Sequence, residues 1–225
     1  MRRSLVTLTA VLGATGLLVP AAGASTTSDK ADVREIVLRA ADVPSSWDAT
    51  PGDKEEDTTG DDMLAECLGR PAGQTRKGRS AKYVGPEFER GAQTFGTEGL
   101  AYQSTSAARK AFATFKDDDL ADCTAQVFRD LFEEQLATSG QTFTIDALDV
   151  SSQGIPRVAD ETVRVEAKIV VTTNGQTETV YAGTVAMRDG RFGASLTTLA
   201  QTEPFPAAFE ARMVRKLAKN LAAVA

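Results

Sequence analysis

Apolar and polar residues alternate along three runs between residues 161 and 201, near the C-terminal end of the chain. A period of two residues is typical of a β-strand with one buried face. Asn174-Gly175 and Asp189-Gly190 separate the runs, and both dipeptides favour type I′ hairpin turns because both central residues of such a turn need a positive φ. The pattern therefore predicts an antiparallel meander of three strands.

The two turns also predict which residues face each other across the meander. The first turn pairs Ile169 with Val180. The second turn pairs Val180 with Leu199 and Ala182 with Thr197. Because a strand exposes alternate residues on each side, this register places seven apolar residues on what we expect to be the main core face of the sheet: Val163, Val165, Ala167, Ile169, Val180, Ala182 and Leu199.

The opposite face of the meander mixes charged and apolar side chains. Arg164, Glu166 and Lys168 are typical of a solvated face. A band of larger, mainly apolar residues shares this face: Tyr181, Val185, Met187, Phe192 and Leu196. Such a band is either buried by another element or forms a ligand or partner surface, and the sequence leaves both interpretations open.

Helical periodicity elsewhere predicts elements that cover this sheet. Apolar residues recur every four positions from Phe205 to Leu221, which predicts an amphipathic C-terminal helix beginning near Pro206. Other predicted helices lie over residues 32–41, around Cys67, after a cap at Thr105 or Ser106, and after Asp117-Asp118-Asp119, and other predicted strands lie over residues 93–103 and 141–150. These elements indicate an α+β fold, in which helices pack on a twisted antiparallel sheet made of the C-terminal meander and N-terminal strands.

The N-terminus has the three parts of a secretory signal. Arg2-Arg3 is the charged start, residues 5–19 are mostly apolar, and Ala22-Gly23-Ala24 is a small-residue cleavage site. The apolar run is shorter than the roughly 20 residues that a membrane span needs, so we expect cleavage near Ala24-Ser25 and no stable membrane anchor afterwards. The predicted organisation is a signal peptide over residues 1–24 and one secreted domain over residues 25–225.

Cys67 and Cys123 are the only cysteines of the chain. The oxidising conditions outside the cell favour a bond between them. A Cys-x-x-Cys redox pair is absent, so we expect one structural disulfide rather than a redox site.

Composition narrows the functions that the chain can have. It has 225 residues, with 31 acidic residues, 25 basic residues and no histidine. Without histidine the chain cannot form a Ser-His-Asp triad, a Cys-His dyad or a histidine metal site. The formal net charge of -6 argues against nucleic acid as a partner. Phosphate-loop and serine-hydrolase motifs are also absent from the sequence, so we expect no enzymatic activity and no cofactor.

Charge is unevenly distributed along the N-terminal half. Residues 53–66 are strongly acidic but lack the spacing and glycine of an EF-hand, so we expect no metal site. The residues that follow carry five bases and no acid: Arg70, Arg76, Lys77, Arg79 and Lys82. Glycines among these bases predict a mobile loop. The loop either binds an anionic envelope polymer or phospholipid head group, or neutralises the acidic run, and the sequence leaves both open.

Several segments resemble a known family of exported proteins. Ala40-Ala41-Asp42-Val43-Pro44-Ser45-Ser46-Trp47 is similar to the opening of many exported actinobacterial proteins. Together with Gly85-Pro86-Glu87-Phe88, the strand through Tyr102 and the helix of residues 107–115 leading to Cys123, it resembles the PknH-like extracellular sensor-domain family over residues 32–222. The resemblance implies an α+β domain with a Cys67–Cys123 disulfide and a cleft for an unknown ligand, and it implies no catalysis. PsbP-like exported lipoproteins, which have a related α+β architecture, are the alternative.

The sequence therefore predicts a secreted, non-enzymatic domain of sensor type, acting in the cell envelope or outside the cell. Its expected partner is an unknown small molecule or envelope component, and its oligomeric state is left open. Two alternatives remain. One is a carboxylate-dependent envelope hydrolase, for which the 31 acids supply many candidate residues but no selected pair. The other is a structural envelope protein without a specific ligand.

Overall fold

A computed structural model describes residues 27–52, 58–139, 143–173 and 175–225 of the chain. Within these residues the chain forms one eight-stranded antiparallel sheet and five α-helices. The helices are α1 (Thr27–Ile36), α2 (Thr59–Cys67), α3 (Thr105–Phe112), α4 (Leu120–Ser139) and α5 (Ala207–Val224). The strands are β1 (Asp48–Thr50), β2 (Arg79–Val84), β3 (Glu87–Arg90), β4 (Gln93–Tyr102), β5 (Phe143–Gly154), β6 (Glu161–Thr173), β7 (Gln176–Asp189) and β8 (Phe192–Gln201).

The order of strands across the sheet is β1-β3-β4-β8-β7-β6-β5, and β2 pairs with β4 beside β3. The meander β6-β7-β8 joins the N-terminal strands through the long β4–β8 pair. Helices α1 and α5 pack on one face of this sheet, and α2, α3 and α4 lie over the other. The predicted α+β fold is therefore confirmed.

The register of the first hairpin in the meander agrees with the prediction, and the register of the second hairpin does not. In the first hairpin Ile169 lies opposite Val180, as predicted. In the second hairpin the prediction is wrong, because Val180 pairs with Gln201 and Ala182 pairs with Leu199. Since side chains alternate with a period of two residues, this even shift leaves every residue on its predicted face.

The shift originates in the turn between β7 and β8. Asp189 pairs directly with Phe192, so the two-residue loop is Gly190-Arg191 rather than Asp189-Gly190. Gly190 has a φ of 53°, whereas Arg191 does not have a positive φ. Glycine at the first central position is typical of a type II′ turn instead of the predicted type I′ turn. Asn174 of the first turn lies outside the described residues.

A β-bulge interrupts the regular alternation of β5. The register against β6 shifts between Ile145 and Ala147, which makes Asp146 the extra residue. Leu148 and Val150 follow the bulge and pack in the same hydrophobic cluster as Ile145. The bulge explains how β5 stays one continuous strand although its apolar residues do not alternate strictly. The strand also extends beyond the predicted end at residue 150.

The main hydrophobic core lies beneath α1 and α5. The apolar stripe of α5 is buried there as predicted, with Met213, Leu217 and Leu221 almost fully inaccessible. Helix α1 contributes Val33 and Ile36 to the same core. The prediction that the opposite face holds the main core is therefore wrong, since that face carries smaller hydrophobic clusters.

Helix α1 covers Thr27–Ile36, so it overlaps the helix predicted over residues 32–41 but begins and ends five residues earlier. It ends at Ile36, and a separate 3₁₀ turn covers Ala40–Asp42. Between them Leu38 is fully buried, and its backbone N–H donates to Oγ1 of Thr97 at 3.1 Å. The helix ends early because this contact draws the chain onto β4.

Helix α1 packs directly on the backbone of β4 at Gly99. A Cβ atom at this position would lie 2.4 Å from the carbonyl oxygen of Val33 and 3.2 Å from Cβ of Ile36. Only glycine allows the two backbones to approach so closely. A salt bridge of 2.7 Å between Arg191 and Asp29 also holds α1 against the β7–β8 hairpin.

Candidate functional site

A cavity of about 240 Å³ lies between the sheet and helices α2, α3 and α4. Strands β4, β6, β7 and β8 form its floor, on the face opposite the main core. The site therefore lies between two layers of secondary structure and is partly open to solvent, and β2 forms one of its sides.

The cavity exists because the central strands carry small side chains on this face. Ala182, Thr184 and Ala186 of β7 lie beside Ser195 and Thr197 of β8 along the floor. The other face of the same two strands carries larger, buried residues: Val185, Met187, Phe192 and Leu196. On these two strands the larger residues thus lie on the side of α1 and α5, and the small residues leave space beneath α2, α3 and α4.

The walls of the cavity are mainly apolar. Phe112 ends α3, Phe115 lies in the following 3₁₀ turn, and Phe128 projects from α4. Helix α3 is fixed at its start by Ser104, whose side chain accepts a hydrogen bond from the N–H of Ala107 at 3.1 Å. This cap precedes both predicted positions, so the prediction of Thr105 or Ser106 is wrong.

The side of the cavity next to β2 and β4 is charged. Lys82 and Glu98 form an ion pair there, with an N···O distance of 3.1 Å. Arg79 and Asp61 line the same side. The hydroxyl of Tyr102 donates to a backbone carbonyl oxygen at 3.3 Å. Charged side chains of both signs thus border a cavity that is otherwise apolar.

Burial changes how these polar groups titrate. Burial raises the pKa of Glu98, although the charge and hydrogen bond of Lys82 oppose the shift and Asp61 adds to it. Burial also raises the pKa of Tyr102 to about 12, so its phenol stays neutral at physiological pH. The charged side therefore combines an ion pair with a neutral hydroxyl group.

Arg188 of β7 bounds the cavity on the side next to β6. It is 3% exposed, and its Nε donates to Glu161 at 2.5 Å while an Nη donates to the carbonyl oxygen of Gly190 at 2.7 Å. Burial opposes ionisation of Glu161, but hydrogen bonds from Lys116 and Arg188 lower the pKa of this carboxyl. These contacts hold the guanidinium in place and give Arg188 a structural role.

The predicted disulfide between Cys67 and Cys123 is confirmed, with the two Cα atoms 5.6 Å apart. It joins the last residue of α2 to the first turn of α4. Asp61 and Leu64 of α2 and Thr124 of α4 line the cavity. The bridge therefore links two of the helices that enclose the site.

The residues predicted as a ligand or partner surface are mostly buried. Val185, Met187, Phe192 and Leu196 belong to the main core, and none is more than 3% exposed. Of the two interpretations, burial by another element is correct for these four residues, and an open surface is wrong. The fifth residue, Tyr181, is half-buried and lies in a separate groove next to the charged residues of β6.

The bases predicted to form one mobile loop are instead held in different places. Arg70 contacts Asp117 at 2.5 Å, and Arg76 contacts Asp62 at 3.0 Å. Lys77 is exposed, and the remaining two bases lie on β2 and line the cavity. The contact of Arg76 supports neutralisation of the acidic run, since Asp62 belongs to that run. A loop is wrong for the end of the segment, because residues 79–84 form a strand.

Part of the acidic run is ordered by local hydrogen bonds. Asp62 accepts the N–H of Gly73 at 2.8 Å, and Asp61 accepts the hydroxyl of Thr75 at 3.2 Å. Residues 53–57 of this run lie outside the described residues. Within residues 27–52, 58–139, 143–173 and 175–225, no cluster of three or more acids or cysteines could hold a metal ion. Over the same ranges, no helix has the length and apolar character to cross a membrane.

No sequence prediction identifies this cavity. The small residues of β7 and β8 fall on the face that was expected to be a filled core. The signal in the sequence is a set of small residues at alternate positions of the two strands, because Thr184 lies opposite Thr197 and Ala186 lies opposite Ser195 on the same face. The partnership of Lys82 with Glu98 depends on the pairing of β2 with β4, which no turn signal predicts.

The fold and site define an α+β domain with a cavity between an antiparallel sheet and its helices. No protein-family model and no curated protein matches the chain. Among solved structures it is similar to the extracellular domain of PknH from Mycobacterium tuberculosis, at 11% identity and a TM-score of 0.48, over 87% of this chain and 95% of that chain. It is also similar to LpqN, involved in cell envelope biogenesis of Mycobacterium tuberculosis, at 12% identity and a TM-score of 0.25, over 80% and 76%. Neither likeness is strong enough to carry a functional argument, so membership of the PknH-like family stays a prediction.

Proposed function

We propose that this chain is an exported, non-enzymatic domain that binds a small, mainly apolar molecule in the cavity. The observation that carries the proposal is the cavity of about 240 Å³ between the sheet and α2, α3 and α4. The cavity is partly open to solvent, so a ligand can enter it from outside. A ligand that fills it removes apolar surface of the lining from water, which favours binding.

The lining indicates the size and character of the ligand. An engineered apolar cavity of about 150 Å³ holds benzene, so this cavity suits a somewhat larger molecule. The apolar part of the ligand would contact Leu100, Phe112 and Phe128. One polar group of the ligand would lie next to Lys82 and Glu98, because a small number of precisely placed polar groups usually orient a ligand in an apolar site.

The proposal places the domain outside the cell or in its envelope. The Cys67–Cys123 disulfide supports this, because such bonds persist mainly in oxidising compartments. The signal-like pattern of residues 1–24 supports it as well, although this segment lies outside the described residues.

Two other functions compete with ligand binding. The buried band on β7 and β8 favours a structural envelope protein, because it removes the surface on which ligand binding was first expected. The cavity on the opposite face restores a specific place for a ligand. A carboxylate-dependent hydrolase is the second candidate, since Asp61 and Glu98 line one side of the cavity. Both carboxyl groups already face cations, at 3.9 Å from Arg76 and 3.1 Å from Lys82, so we place binding first.

The experiment uses the full chain with its disulfide formed. Toluene, indole and hexanoate are added as probes, and binding is followed by shifts of backbone amide NMR signals. We expect at least one probe to shift signals of the cavity floor. Thr184→Leu should weaken that binding about tenfold by filling the floor. Thr177→Leu makes the same change at an exposed position of the same strand and should leave binding unchanged.

Two results would count against the proposal. One is the absence of cavity shifts with every probe, and the other is equal binding by wild type and a folded Thr184→Leu variant. The hydrolase candidate predicts something different, namely turnover of envelope-type glycosides that disappears in Glu98→Gln. Measurable turnover with that dependence would replace binding by catalysis as the function of the cavity.

A further inference from the structure

A second concavity, which we name the α5-side groove, lies on the other face of the sheet and has a volume of about 350 Å³. Strands β7 and β8 contribute Gly183 and Thr198 to it, and the segment before α5 contributes Pro204 and Phe205. Charged and hydroxyl side chains of β5 and β6 complete its lining. The groove and the cavity lie on opposite faces of the sheet, and both are lined in part by Ala167, Ala182 and Gly183.

The floor of the groove is closely packed in the middle of the sheet. Gly183 lies between Glu166 of β6 and Thr198 of β8 in the same row of the sheet. A Cβ atom at Gly183 would lie 2.9 Å from Oγ1 of Thr198, so glycine leaves room for the threonine side chain. The ring of Phe205, which packs 5.9 Å from that of Trp47, lines the groove beside them.

Side chains of both charges and a tyrosine line the α5-side groove. Asp149, Lys168 and Tyr181 occupy adjacent positions on β5, β6 and β7, so they form one row across the sheet. Lys168 is exposed and Tyr181 is half-buried. The row offers an acceptor, a donor and an amphipathic ring within the reach of one small ligand.

The other end of the groove is fixed by Arg164. Its guanidinium contacts Glu166 at 2.8 Å and Glu210 of α5 at 2.8 Å. Glu210 is 3% exposed, and this burial raises the pKa of its carboxyl. The Nε–H of Arg164 is buried and has no acceptor among the described residues. This end is therefore rigid, and it retains a donor that the protein itself does not satisfy.

We infer that the α5-side groove binds a neutral saccharide. A sugar hydroxyl both donates and accepts hydrogen bonds, so it suits a lining in which donors and acceptors alternate. Two acids, Asp149 and Glu166, balance two bases, Arg164 and Lys168, so the lining has no net charge and gives neither an anion nor a cation an advantage over a neutral ligand. The half-buried ring of Tyr181 supplies an apolar surface for the C–H face of a sugar ring.

The test uses the full chain with its disulfide formed and three neutral probes: cellotriose, maltotriose and tri-N-acetylchitotriose. Backbone amide NMR signals are followed during titration to about 10 mM, where affinities in the millimolar range are visible. We expect at least one trisaccharide to shift the signals of Glu166 and Thr198, which line the groove and not the cavity. Tyr181→Ala should weaken this binding about tenfold, whereas Tyr181→Phe, which keeps the ring, should stay within about threefold of wild type.

Further variants keep the result interpretable. Lys168→Ala changes an exposed residue of the groove and should weaken binding several-fold, while Lys219→Ala changes an exposed lysine of α5 outside it and should not. The inference is overturned if no trisaccharide shifts groove signals, if Tyr181→Ala and Lys168→Ala bind like wild type, or if inorganic phosphate shifts these signals and the sugars do not. None of these results bears on the cavity, whose probes act on the other face.

Discussion

The contribution of the disulfide to stability can be worked out from its position. Cys67 and Cys123 are separated by 56 residues along the chain, and the bond closes that segment into a loop. In the chain-entropy model, removing a bridge across such a loop lowers the free energy of unfolding by about 4 kcal/mol. We therefore expect the double variant Cys67→Ala/Cys123→Ala to unfold at a urea concentration about 2 M lower, for a slope of about 2 kcal/mol/M.

Urea denaturation followed by fluorescence of Trp47 measures this change, since the indole is almost fully buried in the folded protein. Wild-type protein treated with a reductant should unfold like the double variant. The double variant itself should not respond to the reductant. A loss of less than about 1 kcal/mol in both cases would refute the reasoning, because the bridge would then not restrict the unfolded chain as its loop length requires.

Three further predictions concern packing and pH. Gly99→Ala should lower the free energy of unfolding by about 1–3 kcal/mol, because the new methyl group meets the carbonyl oxygen of Val33. Gly96→Ala, whose methyl group would have nothing within 4 Å, should change this free energy by less than about 1 kcal/mol. Equal losses for the two variants in urea denaturation would contradict this reasoning. Leu217→Ala should cost about 2–5 kcal/mol because the side chain is fully buried, against less than about 0.5 kcal/mol for Lys219→Ala on the exposed side of the same helix. The pKa of Glu161 is lowered from its ordinary value of 4.5, so the unfolded chain takes up this proton first and stability falls as pH drops below that value. When urea midpoints are measured at pH values above and below 4.5, Glu161→Gln should lose less stability on acidification than wild type. The same loss in both proteins would show that the ion pairs of Glu161 do not couple folding to pH.

The fold could be predicted where local signals determine the geometry. The period-two runs of the meander and the apolar stripe that includes Leu217 depend on short-range patterns, and the disulfide followed because the chain has only two cysteines. The second hairpin was predicted two residues out of register because Gly190 can occupy either central position of a two-residue turn. The face assignments survived, since an even shift does not reverse the alternation.

The functional site was less predictable because it depends on packing between distant elements. Val185 and Ala182 are both apolar strand residues, yet the sequence does not show on which face of the sheet the main hydrophobic core forms. The cavity needs α3 and α4 to stand above the small residues of β7 and β8, and that distance is set by the tertiary arrangement of the chain. The charged side likewise needs Lys82 beside Glu98, a contact between strands whose pairing carries no local signature.

The pairing of β4 with β8 has a consequence for how the molecule folds. This pair lies at the centre of the sheet, and the contacts around it join residues far apart in sequence: Arg191 to Asp29 across 162 residues, and Asn220 to Ile36 across 184. A topology dominated by such long-range contacts folds slowly, because each must be formed at the entropic cost of closing a long loop. A chain that emerges N-terminus first therefore carries β4 with an unpaired edge until β8 and α5 are available. An unpaired strand edge is a template for pairing with other chains, so we expect the incomplete chain to aggregate more readily than the complete domain.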